Sequence, residues 1–261
     1  MSGRGPRLGP ETTNGDDVLG LPDTVRVLLF DLDGVLTETA ELHVRAWKET
    51  FDAFLRDHAE RVHEEYVPFD PVTDYARYVD GKRRVDGVRD FLGSRDITLP
   101  TGTPTDGPER ETLNGIGNRK NERVLQLMRD QGVKVFPGSR RYLEEARARS
   151  LPCAVVSSSA NAALVLDVTG LESQIDVLVD GSLAHALGLP GKPAPDTYLE
   201  AARRMGVPPA EAAVFEDALA GVAAGHAGHF GYVVGVDRLG QGQALREQGA
   251  DVVVTDLEEL L

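Results

Sequence analysis

The chain of 261 residues has a single cysteine, Cys153, a single tryptophan, Trp47, and only three methionines. A lone thiol excludes an internal disulfide framework and any cysteine-rich zinc site. Positive charge is scarce as well: 28 Lys and Arg stand against 42 Asp and Glu, a formal charge of −14. That balance argues against a generic grip on nucleic acid or an anionic membrane. An anionic ligand therefore needs a local positive site or a bound cation. No apolar run approaches the roughly 20 residues that span a bilayer, and MSGRGPRLGPETTNGDDVLG at the start lacks the apolar stretch of a secretory signal. The expected setting is cytoplasmic, in a reducing cytosol. A dinucleotide-binding glycine signature is missing too, because GIGNRK offers Gly115 and Gly117 but Lys120 at the third position. His226 and His229 have a metal-like spacing without a third ligand nearby. What remains is 41% hydrophobic residues, enough for one or two domains with a real core, so disorder of the whole chain is excluded.

Residues 1–22 are rich in Gly, Pro, Thr and Asp and have little to bury, which predicts a flexible tail. VRVLLF (25–30) is a continuous apolar run of strand length, as expected of a parallel strand covered on both faces. A helix is predicted over 40–63, with Trp47, Phe51, Phe54 and Leu55 on one face. From about 64 to 130 the texture changes: helical stretches at 85–92 and 110–128 lie between loops such as VPFDPVTD and LPTGTPTDGP, and nothing reads as a strand. Strand and helix then alternate, with strands expected at 153–157, 177–180, 212–216, 232–236 and 251–255 and helices at 142–149, 196–205 and 218–227. The pattern predicts an α/β fold: a Rossmann-like parallel sheet with helices on both faces, plus an inserted, mainly helical cap domain. Its domains are a core over 23–40 and 132–261 and a cap over 41–131.

Four polar elements follow predicted strands, at the sheet edge where ligands bind in such folds. They are Asp31-Leu32-Asp33-Gly34, Ser157-Ser158-Ser159, Lys192 within GKPAPD, and Glu216-Asp217. Converging carboxylates repel unless a cation sits among them, and hard oxygen donors select Mg²⁺. A serine hydroxyl and a lysine beside that cation suit a phosphoryl group. Asp31 is then a candidate nucleophile and Asp33 a candidate general acid/base. Taken singly, each element has an ordinary reading: DLDG as an acidic turn, the serines as helix caps, Lys192 as a solvated surface residue.

FDLDGVLTETAELH, SSS, GKPAPD and FEDALAG, in that order, resemble the four motifs of the haloacid dehalogenase superfamily. The resemblance covers about residues 25–255. It implies that Asp31 is the nucleophile and that Asp33 protonates the leaving group and lends a backbone carbonyl to the metal. It also implies that Ser157, Ser158, Asn161 and Lys192 bind phosphate, and that Glu216 and Asp217 complete the metal site. TAELHVRAW (39–47), DGKRR (80–84) and NRKN (118–121) resemble the β-phosphoglucomutase family within that superfamily. On this resemblance His43 couples cap closure to the acid/base, Gly81 and Arg84 belong to a substrate loop, Arg84 clamps the distal phosphate, and Lys120 lies near the site. Two features depart from the pattern: Asp80 stands where a lysine precedes the loop glycine, and VPFDPVTDYARY (67–78) lengthens the cap.

The expected function is Mg²⁺-dependent phosphoryl transfer through an aspartyl phosphate, interconverting β-glucose 1-phosphate and glucose 6-phosphate. The expected partners are a phosphorylated sugar and a sugar bisphosphate, with no nucleic acid, no membrane and a monomeric chain. A small-molecule phosphatase shares the first half of that reaction and is the alternative. A non-catalytic sugar-phosphate-binding module is a third reading, which replacement of Asp31 or Asp33 would favour; both are present.

Overall fold

The computed structural model describes residues 18–261. Six short strands form one wholly parallel sheet in the order β3-β2-β1-β4-β5-β6. In chain order the elements are β1 (Val27–Phe30), α1 (Ala40–Val62), α2 (Arg84–Gly93), α3 (Leu113–Gln131), α4 (Pro137–Ala148), β2 (Cys153–Val156) and α5 (Ala162–Thr169). They continue with β3 (Val177–Val179), α6 (Gly181–Ala186), α7 (Asp196–Met205), β4 (Ala212–Glu216), α8 (Leu219–Ala227), β5 (Tyr232–Val236), α9 (Gly242–Glu247) and β6 (Val252–Val254).

Side chains alternate across a pleated strand, and here the alternation divides the core. Leu28, Phe30, Val155, Phe215 and Val234 turn to one face, against Tyr142 and Leu143 of α4 and Val165 of α5. Val27, Leu29, Val156, Val214 and Val233 turn to the other, against Tyr198 and Ala202 of α7 and Val222 of α8. Both faces are covered, which explains why the strands read as unbroken apolar runs.

Everything between the end of β1 and α4 is helical or irregular, and no strand forms there among the described residues. Its apolar cluster is separate: Trp47, Phe51 and Phe54 of α1 meet Phe69, Phe91 and Ile116. Phe51 and Phe91 pack at 4.2 Å between centroids, with their planes tilted by 46°. Asp52 is buried here and satisfied, accepting from the Phe69 amide and from Lys48, both at 2.9 Å.

The structure shifts several expected boundaries. Helix α3 starts at Leu113, not 110, because Thr112 caps it by accepting from the Gly115 amide at 2.9 Å. Helix α4 starts five residues ahead of expectation, with Pro137 in its first turn, where the missing N–H is harmless. The sequence gives no warning of a π turn over Tyr75–Val79. The expected tail of residues 1–22 lies outside the described residues up to 17. Beyond that point the expectation fails: Leu19 and Leu21 join the core, and the Tyr142 hydroxyl donates to the Leu19 carbonyl at 2.9 Å.

Candidate active site

β1 and β4 are neighbours although the chain leaves β1 toward β2, so the order reverses between them and opens a crevice at their C-terminal ends. The register sets Phe30 beside Phe215, which brings the residues after each strand together. Asp31 donates its amide to the Phe215 carbonyl at 2.9 Å. Gly34 then turns the chain with φ +97°, a conformation that L side chains resist. A Cβ there would lie 1.8 Å from the Asp217 carboxylate.

Lys192 connects the two strand ends. Its ammonium donates to Asp31 and to Glu216 at 2.5 Å each, and to the Val156 carbonyl at 3.0 Å. Glu216 also accepts from the Tyr198 hydroxyl at 2.8 Å and from the Ala218 amide at 3.2 Å. Burial opposes the charge of Lys192, but Asp31 and Glu216 outweigh it and hold its pKa above the ordinary value. Burial pushes Asp31 up to about 8, with Lys192 opposing and Glu216 and Asp33 adding to the rise. Asp217 is held well above the carboxylate range by burial, then by Asp80 and Asp31.

Asp31, Glu216 and Asp217 each offer a carboxylate oxygen, and these atoms lie within 4.8 Å of one another. Three buried oxygen donors fit a hard divalent cation. The Asp33 carboxylate is outside that group. It accepts from the Thr39 hydroxyl, which in turn shares a 2.7 Å hydrogen bond with Thr37.

The helical insertion supplies the facing wall. His43 Nδ1 and Lys120 Nζ share a 2.9 Å hydrogen bond, and His43 Nε2 lies 3.6 Å from the Asp33 carboxylate. Burial and then Lys120 lower His43 to about 4, so this contact is not an ion pair at neutral pH. Burial and then Arg84 lower Lys120 to about 7. Of the three basic residues in DGKRR, Lys82 is paired with Asp90 and Arg83 with Asp86. Arg84 faces no carboxylate within ion-pair distance among the described residues; it donates to the Gly117 carbonyl at 3.2 Å and to Asn118 at 3.5 Å. A cation so placed is available to an anion.

One cavity of about 60 Å³ touches Asp31, Asp33, His43, Gly81, Arg84 and Lys120, and also Ser157, Ser158, Asn161 and Asp217. Lys192 and Glu216 lie beneath it and reach it through Asp31. Lys192, expected at the phosphate, is thus engaged by carboxylates. The expected capping by the serines is also indirect: the Ser157 hydroxyl accepts from the Ser159 amide, and the Ser159 hydroxyl from the Asn161 amide, both at 3.1 Å. Sequence reasoning missed Tyr75 and Thr39. Tyr75 lies inside a loop-like stretch with no periodic signal, and Thr39 reads as an ordinary helix cap. Trp47, expected only as core, lines the cavity as well.

Residues 25–229 match the model of the haloacid dehalogenase-like hydrolase family. The chain belongs to that family of enzymes. It is 58% identical over 247 residues to a β-phosphoglucomutase of Mycobacterium tuberculosis, covering 94% of each chain. To a β-phosphoglucomutase of Bacillus subtilis it is 31% identical over 239 residues, covering 90% of this chain and 92% of that one. A crystal structure of β-phosphoglucomutase from Clostridium difficile matches with a TM-score of 0.69 at 24% identity, over 91% of this chain and 93% of the other. At that identity the likeness is one of fold. No helix among the described residues is long and apolar enough to cross a membrane.

Proposed function

We propose that the chain is a Mg²⁺-dependent phosphomutase that interconverts β-glucose 1-phosphate and glucose 6-phosphate through phosphorylated Asp31. The observation that carries this reading is the facing pair of groups in one cavity. Two aspartates lie at the sheet edge, and Arg84, a cation with no carboxylate partner among the described residues, lies on the insertion. A second phosphate needs such a receptor; a monophosphatase does not. The names of the mycobacterial and Bacillus relatives support the same activity.

In this reading Asp31 attacks the phosphoryl of a sugar bisphosphate, and Asp33 gives its proton to the leaving sugar oxygen. The hexose monophosphate then presents its free hydroxyl, Asp33 takes that proton, and the oxygen attacks phosphorus on Asp31. The bisphosphate so formed reorients and returns its other phosphoryl to Asp31. Mg²⁺, held by Asp31, the Asp33 carbonyl and Asp217 with Glu216 behind them, supplies neutralisation of phosphoryl charge. Ser157, Ser158 and Asn161 hold the transferring phosphoryl, and Lys192 supplies positive charge from beneath, through its pairing with Asp31. Thr39 and His43 aim the Asp33 carboxylate, with Lys120 hydrogen-bonded to His43.

A cavity of about 60 Å³ is far smaller than the roughly 300 Å³ at the lower end of ligand pockets. Residues 41–131 therefore act as a cap that opens to admit the sugar and closes over 23–40 and 132–261. Closure keeps water from the aspartyl phosphate, so that a sugar hydroxyl is the acceptor. Binding of the second phosphate by Arg84 favours that closed state, so remote binding energy assembles the site.

The deciding experiment supplies Mg²⁺, β-glucose 1-phosphate and a trace of glucose 1,6-bisphosphate, and follows glucose 6-phosphate and free phosphate side by side. Glucose 6-phosphate with little free phosphate is expected. Phosphate release without isomerisation would replace this reading by a phosphatase. Asp31→Asn removes the acid-labile phosphate on the protein; a label that persists would sink the nucleophile.

A further inference from the structure

Asp80 belongs to the insertion yet lines the same cavity as the strand-end acids Asp31 and Asp217. It follows directly on the Tyr75–Val79 π turn. Its amide donates to the Tyr75 carbonyl at 3.0 Å, and Tyr75 lines the same cavity. The next residue is locked to the sheet edge: the Gly81 carbonyl accepts from the Ser158 hydroxyl at 2.7 Å. A Cβ at Gly81 would lie 2.9 Å from that of Ala218, the residue after Asp217. Asp80 is thereby fixed in the cavity that Asp31 and Asp217 also line.

Of the four carboxylates Asp31, Glu216, Asp217 and Asp80, two are ion-paired, both with one buried cation. That cation, Lys192, is committed to Asp31 and Glu216. Among the described residues Asp217 and Asp80 have no basic side chain within ion-pair distance. Carboxylates brought together away from water repel, so docking the insertion is opposed by Asp80 facing Asp217. A divalent cation held by the strand-end acids reverses the sign of that interaction, because Asp80 then approaches net positive charge.

We propose that Asp80 makes closure of the insertion depend on the divalent cation. The insertion docks when the cation is bound, and the cation binds more tightly to the docked form by the same factor. This rests on the metal reading above. Asp80 is a positioning residue here: it acts on the placement of the insertion and not on the reacting phosphoryl.

Trp47 is the sole tryptophan and lines the cavity, so its emission reports closure with no substrate present. Mg²⁺ alone is titrated into the wild-type chain, Asp80→Asn and Asp80→Ser, following Trp47 emission, radius of gyration by X-ray scattering, and Mg²⁺ affinity by calorimetry. In the wild type, Mg²⁺ is expected to shift the emission and compact the chain. Both variants are expected to be compact before Mg²⁺ is added and to bind it about tenfold more weakly, within the usual range of coupling between sites. Identical Mg²⁺ midpoints and emission changes in all three chains would overturn the proposal. Binding of Mg²⁺ to the wild type with no change in emission or radius would overturn it while leaving the metal reading intact. Absence of Mg²⁺ binding would overturn both.

Discussion

Lys192 reaches two carboxylates at once, 2.5 Å from Asp31 and 2.5 Å from Glu216, and so ties the end of β1 to the end of β4. All three side chains are buried. Lys192→Met leaves both buried carboxylates without their cation, and breaking a buried pair from one side costs about 3–5 kcal/mol. Urea unfolding is expected to show a loss of that order, together with loss of turnover. Lys192→Arg should not restore the site, because a planar guanidinium cannot occupy the point between two oxygens that an ammonium fills.

The sheet was legible because each strand is a short, largely apolar run bounded by turn residues, and parallel strands covered on both faces read in that way. The strand-end acids were legible for a related reason: after such a run, Asp31-Leu32-Asp33 and Glu216-Asp217 can only lie at the C-terminal edge. The register that sets Phe30 beside Phe215 was not legible, since it depends on contacts between segments far apart in sequence. The same holds for the insertion. DGKRR reads as one basic run, and only the fold shows that Lys82 and Arg83 spend their charge on Asp90 and Asp86 while Arg84 keeps its own. Asp80 was visible as a departure from the family pattern, but its place against Asp217 was not. The buried Leu19 and Leu21 were missed because two leucines in a Gly- and Pro-rich stretch carry no periodicity.

In the proposed reaction, Arg84 is the group that separates a bisphosphate reaction from simple hydrolysis. Arg84→Ala is expected to raise KM for β-glucose 1-phosphate and for the bisphosphate by roughly 100-fold, in keeping with loss of about 2–3 kcal/mol of charged hydrogen bonding. Hydrolysis of acetyl phosphate, which has no second anionic group, should change less than about threefold, because Arg84 contributes little to a substrate that cannot reach it. Steady-state rates with both substrates check this. Parallel losses would remove Arg84 from the distal phosphate.

Gly34 is constrained twice, by a φ of +97° and by the Asp217 carboxylate 1.8 Å from where a Cβ would stand. Gly34→Ala forces either the turn or Asp217 to move. The backbone strain alone is worth about 1–3 kcal/mol, and a displaced Asp217 weakens the cation site. Thermal unfolding should record the first effect and Mg²⁺ calorimetry the second, with affinity lowered about tenfold or more for one lost carboxylate ligand. Stability that falls while Mg²⁺ affinity is unchanged would show that the turn gives way and Asp217 stays.

Lys120 titrates in a range where its effect on stability has a definite sign. Burial and then Arg84 lower its folded pKa to about 7, against an ordinary 10.5. Between those values the unfolded chain holds the proton and the folded chain does not, so stability rises with pH across that window. Below about 7 both forms are protonated and Lys120 adds no slope. The steepest contribution of one such group is about 1.4 kcal/mol per pH unit. Lys120→Met has no proton to lose, so the stability difference between wild type and variant should be flat below pH 7 and shift in favour of the wild type from 7 toward 10. Urea unfolding of both chains across that range, without substrate or divalent cation, measures it. A difference independent of pH would mean that Lys120 keeps its proton in the folded chain, and that its 2.9 Å contact with His43 Nδ1 holds a full charge against burial.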